Sequence, residues 1–78
     1  ASALPNFALS APREIIFKNS PPEVTDEFLK LDRVIAMKVI YHILEQKYQD
    51  DLMLITDHHA ELIYQLIHSR RLYVLVRI

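Results

Sequence analysis

From Val34 to Gln49 the chain has neither Gly nor Pro, and its polar side chains return with the period of an α-helix. On a wheel of about 100° per residue, Lys38, His42, Glu45, Gln46 and Gln49 fall within one arc of roughly 100°. Val34, Ala36, Met37, Val39, Ile40, Tyr41, Ile43, Leu44 and Tyr48 cover most of the rest, with Lys47 the exception. An ordinary surface helix has the reverse proportion. Two starts are available to this helix. Ser20 as cap, Pro21 as first residue and Glu23 three places on form a capping box, and Thr25 followed by Asp26 and Glu27 is a second start. Either way the pattern predicts one helix running to about Gln49, where Asp50-Asp51 ends it.

Other stretches have different periods. Arg13-Glu14-Ile15-Ile16-Phe17-Lys18 is β-branched and aromatic and predicts a short strand. Leu52-Met53-Leu54-Ile55 is a short apolar run that suits a strand or a helical turn equally. Thr56 or Asp57 can cap a second helix, about His58 to Arg70, whose last turn holds His68, Arg70 and Arg71. Leu72–Ile78 predicts a strand with Leu72, Val74, Val76 and Ile78 on one face and Tyr73 and Leu75 on the other. The two strands can pair with each other or with those of a neighbour. Residues 1–12, with Pro5, Asn6 and Pro12, read as an extended arm carrying Leu4, Phe7 and Leu9. The expected architecture is an arm at 1–12 and a single small α+β domain at 13–78: strand, long helix, second helix, closing strand.

The length of 78 residues turns this pattern into a problem of cover. A domain of that size buries only about 60–65% of the surface of its unfolded chain. Five large apolar side chains left in water would forgo about 1.5–3 kcal/mol each, a sum comparable to the stability of a small domain. The expectation is therefore a non-enzymatic interaction or oligomerisation module, a small structural subunit of a larger assembly. Its expected contacts are Met37, Ile40, Tyr41 and Leu44 from the long helix, with Tyr73 and Leu75 from the closing strand.

Composition removes most alternatives. There is no Cys, hence no disulfide, thiolate nucleophile or thiolate zinc site. A secreted domain this small often needs such staples, so their absence favours an intracellular setting. The start at Ala1–Pro5 does not read as a retained signal peptide, and a cleaved targeting sequence or a trimmed chain would both give it. There is no Gly, which phosphate loops, dinucleotide fingerprints and nucleophile elbows require. Ser10, Ser20 and Ser69 have no turn to expose a nucleophile. Asp26, Glu27, Asp32 and Arg33 read as a solvated charged face. Neither an enzyme nor a cofactor is expected, and no apolar run is long enough to span a membrane.

Two further constellations remain. Asp57, His58, His59 and Glu61 hold metal-type donors, with His58 and Glu61 one helical turn apart, although acidic residues at a helix start are also what its dipole favours. The run Leu52-Met53-Leu54-Ile55-Thr56-Asp57-His58-His59 resembles one motif of the DHH phosphoesterases, in which an apolar strand ends in Asp-His-His and helps to bind divalent metal. That family's other aspartate motifs, on a much larger sheet, have no counterpart here. The resemblance adds only a preference for extended backbone over Leu52–Thr56, and no metal site is expected. Arg70, Arg71 and Arg77, with His68, Tyr64 and Tyr73, could contact a nucleic-acid backbone, which makes a small nucleic-acid-binding domain the alternative function. Against it stand a net charge of −1 and the carboxylates Asp57 and Glu61 at the start of the would-be reading helix.

Overall fold

The computed structural model describes residues 14–19 and 24–77. The expected arm at 1–12, the Ser20–Glu23 capping box and Ile78 lie outside the described residues. The chain forms a small α+β fold: β1 (Glu14–Lys18), α1 (Thr25–Leu29), α2 (Arg33–Lys47), a 3-10 turn (Leu52–Leu54), α3 (Asp57–His68) and β2 (Tyr73–Arg77). The strands pair antiparallel with each other, with Ile15 opposite Val76, Ile16 opposite Leu75 and Phe17 opposite Val74. Alternation sends Ile15, Phe17, Val74 and Val76 to the core face, where Ile15, Val74 and Val76 are buried. Ile16, Tyr73 and Leu75 lie on the opposite face, half-buried.

The long helix expected from residue 25 to residue 49 is two helices. α1 ends at Leu29, and Asp32 opens α2 in an extended conformation, its Oδ1 accepting from the Ile35 N–H at 3.0 Å. Asp32, read from sequence as part of a solvated face, is thus an N-cap, a position Asp favours over helix interiors. The break has a packing reason. α1 lies against β2 and α3, while α2 lies against α3 and β1, so one straight axis could not serve both. Phe28, fully buried, and α2's Ala36, Val39, Ile40, Ile43 and Leu44 then meet in a single core with Ile15, Ile63, Ile67 and Val74. α3 runs antiparallel to α2, because Arg33 pairs with Glu61 while Tyr41 meets Asp57. Thr56 caps α3, its side chain accepting from the His59 N–H at 3.1 Å.

This packing corrects the expectation that α2 leaves its apolar face in water. Its wide face is divided between two neighbours, α3 on one side and the sheet on the other. Only Val34, at the open end of the helix, is strongly exposed, at 66%. Met37, Tyr41 and Tyr48 are half-buried against the core.

Two polar details hold the ends together. Thr25, 1% exposed, accepts from the Val74 N–H at 2.7 Å and donates to the Val74 carbonyl at 3.3 Å. One hydroxyl thereby satisfies both backbone groups on the outer edge of β2 and ties α1 to a strand 49 positions away. At the end of α3, Arg70 adopts φ 57°, a left-handed conformation. Its N–H reaches the Ile67 carbonyl and the Arg71 N–H the Leu66 carbonyl, both at 3.0 Å, the pattern of a Schellman cap. Glycine usually fills that place; a chain without glycine puts arginine there, against a steric cost of about 1–2 kcal/mol.

Thr25→Val keeps the shape but strands two buried backbone groups. Urea unfolding is expected to show a loss of about 1–3 kcal/mol, which Thr25→Ser largely avoids. At Arg70, replacement by Gly relieves the left-handed strain and by Val worsens it. Thermal unfolding is expected to place Arg70→Gly at or above the parent, even after loss of an exposed ion pair worth about 0–1 kcal/mol, and Arg70→Val at least about 1 kcal/mol below it.

Candidate docking surface

The nine-residue connection between α2 and α3 is built by local hydrogen bonds. α2 stops at Tyr48, whose carbonyl accepts from the Asp51 N–H at 3.1 Å. The Leu54 N–H then bonds the Asp51 carbonyl at 3.3 Å, and the Ile55 N–H the Leu52 carbonyl at 3.1 Å, which closes the 3-10 turn. Of the two readings open for Leu52–Ile55, a helical turn is the one observed. The extended backbone that the resemblance favoured is confined to Ile55 and Thr56.

Ile55 anchors the turn from below by packing on the core. On its far side the His59 ring lies 3.5 Å through Nδ1 from the Leu54 carbonyl and faces the Tyr48 ring at 6.3 Å between centroids. Leu52, Met53 and Leu54 are left 61%, 87% and 50% exposed. In a 3-10 helix successive side chains point about 120° apart. Three consecutive residues at least half exposed therefore mean that the turn projects from the body, with Met53 at its most exposed point. Beside it lies a shallow, open groove of about 540 Å³ lined by Glu45, Gln49, Leu52 and Ile55.

The expected contact residues are dispersed. Ile40 and Leu44, at 0% and 1% exposed, belong to the core and have no surface to offer a partner. They are withdrawn from the expected contacts because α3 and the sheet already cover them. Met37 and Tyr41 sit half-buried on α2, and the Tyr41 hydroxyl donates to the Asp57 carboxylate across to α3. Tyr73 and Leu75 share the sheet face turned from the core. These four are thus divided between α2 and the outer face of the sheet, on different elements from the turn. The exposed apolar turn was not among the expected contacts. Its signal was present: an apolar run without strand or helix periodicity, enclosed by Asp50, Asp51 and Asp57.

The metal-type donors part company as well. Asp57 is engaged by Tyr41, Glu61 by Arg33 and Gln65, and His59 lies against Tyr48 and Leu54, while His58 points to solvent. No three His, Asp or Glu side chains among the described residues are grouped to hold a metal ion. Of the arginines, Arg70 is paired with Asp26 at 3.0 Å, Arg71 is exposed in the turn before β2, and Arg77 stands at the far end of that strand, opposite Glu14 in register. Four strand steps of about 3.3 Å separate Arg77 from Tyr73, so the three do not share one spot. No helix among the described residues is long and apolar enough to cross a membrane.

The α2–α3 seam carries the resolved electrostatics. Arg33 bonds Glu61 and also lies over the Tyr64 ring, 4.9 Å from its centroid. The guanidinium's hydrogen bond holds the Glu61 carboxyl below the usual carboxylate range, helped by the Gln65 amide and opposed by partial desolvation. Tyr41 is pushed above the ordinary tyrosine value, first by its hydrogen bond to Asp57 and then by burial and by the carboxylate's charge.

No protein-family model matches the chain, and neither a curated protein nor a solved structure proves similar to it.

Because Glu61 is depressed in the folded state, its link to Arg33 contributes fully above the pKa of the unfolded carboxyl. The contribution fades as pH falls through the lowered folded value. A carboxyl NMR titration is expected to place the Glu61 midpoint below the ordinary glutamate value, and Arg33→Met to move it upward. A midpoint indifferent to Arg33→Met would contradict the pairing.

Proposed function

We propose that this chain is a non-enzymatic protein–protein interaction module, a small structural subunit of a larger assembly, which docks through its Leu52–Leu54 turn. The observation that carries the reading is the exposure of three successive large apolar side chains on a turn anchored at its C-terminal end. Isolated exposed apolar residues are ordinary, and Val34 and Leu62 are of that kind. A contiguous projecting set is a different matter, since it keeps apolar surface in water that a partner could remove at about 25 cal/mol per Å². The position also supports it. A connection between two helices that only had to turn the chain would be served by polar residues. The half-buried Met37, Tyr41, Tyr73 and Leu75 belong to the margins of such a contact or to none. An intracellular setting fits a chain without cysteine.

Nothing in the geometry favours nucleic acid over this reading, for Arg70 is already answered by Asp26 and Arg77 stands apart.

A photo-crosslinking amino acid placed at Met53 in cells tests the reading. The expected result is one discrete adduct of defined mass, absent when Leu52→Ser and Leu54→Ser are added and absent with the same probe at Val34. Both serine changes lie on exposed side chains and are expected to alter stability by no more than about 0.5 kcal/mol each. No adduct at Met53, or the same adducts from Val34, would overturn the proposal.

A further inference from the structure

The charges in the segment leading into the exposed turn are predominantly negative. Glu45 lines the groove, and Asp50 and Asp51 lead directly into Leu52; all three carboxylates are exposed. The ion pairs Arg33–Glu61 and Arg70–Asp26 do not engage them. The nearest cation in sequence, Lys47, lies over the Tyr48 ring at 5.4 Å. From residue 45 to residue 51 three carboxylates stand against one ammonium. α2 also ends here, and the C-terminus of a helix carries the equivalent of roughly −0.5 charge from its unsatisfied carbonyls. Side chains and helix dipole therefore add rather than cancel.

An apolar knob beside a groove inside a negative rim defines the chemistry of its occupant. We infer that the groove beside Leu52–Leu54 receives a basic amphipathic helix of a partner protein, its apolar side chains against Leu52, Met53 and Ile55 and its lysines or arginines toward Glu45, Asp50 and Asp51. This rests on the reading of the turn as a docking surface and adds the class of partner. A helix suits better than a strand. The groove is lined by side chains, Glu45 of α2 with Gln49, Leu52 and Ile55 of the connection, and the amides of Leu54 and Ile55 are already used, so no backbone ladder invites an extended segment. Met53, unbranched and the most exposed of the three, can adapt to partners of varied shape. The rim charges contribute chiefly to rate of encounter and selectivity, the apolar contacts to affinity.

The test uses the intact chain and two synthetic helical peptides with leucines at i and i+4. One carries lysines on its flanks and the other glutamates at the same places. Fluorescence anisotropy is expected to show the lysine peptide binding at least about ten-fold more tightly than the glutamate peptide. That preference is expected to weaken with added salt. Asp50→Lys with Asp51→Lys is expected to lower the affinity for the lysine peptide about ten-fold, and Leu52→Ser with Leu54→Ser to abolish binding. No binding of the lysine peptide, equal binding of both peptides, or indifference to the aspartate changes would overturn the inference. The docking role of the turn would then still stand or fall on the cross-linking at Met53, so the two failures are distinct.

Discussion

The structure is organised around the need to cover α2. Ala36, Val39, Ile40, Ile43 and Leu44 leave it almost no apolar surface that can remain in water, and removing any one of the larger side chains would cost about 2–5 kcal/mol. In so short a chain every other element is placed by that demand. β1 and β2 close one side of the helix and α3 the other. α1 can reach its own site only because the chain breaks at Asp32. The Thr25–Val74 hydrogen bonds and the capped end of α3 then fasten the pieces that do the covering. The sheet needs only two strands because the helices supply the rest of the core.

Elements with strong local signals were legible. The β-branched run at residues 14–18 and the alternating run at residues 73–77 are strands, and the Thr56 cap opens α3 where its chemistry indicates. The break between α1 and α2 was not legible, because neither Gly nor Pro marks it. Its only local sign is an Asp that would serve a helix surface as well as an N-cap, and Phe28 and Ile40 decide between the two by packing. The error over α2 has a similar origin. A helical wheel reports how much apolar surface there is but not how many neighbours share it. On the wheel Ile40 and Leu44 read as partner contacts, whereas the chain's own α3 and sheet enclose them.

Once α2 is covered, the burden of exposed apolar surface moves to the connection that follows it. That connection is anchored by Ile55 and by His59, and Leu52, Met53 and Leu54 project away from the core. The same anchoring pre-organises the turn and lowers the entropy a partner would have to remove. Cover within the chain and exposure at the turn are thus two sides of one arrangement.

The chain's two methionines report directly on that arrangement, one on each side of it. Met37 lies half-buried on α2, and Met53 stands 87% exposed at the tip of the turn. Thioether oxidation by dilute hydrogen peroxide follows accessibility and is read for each site by mass spectrometry. The account predicts fast oxidation of Met53 and slow oxidation of Met37 in the native chain, with the two rates converging in urea. Equal native rates, or a protected Met53 beside a reactive Met37, would contradict it.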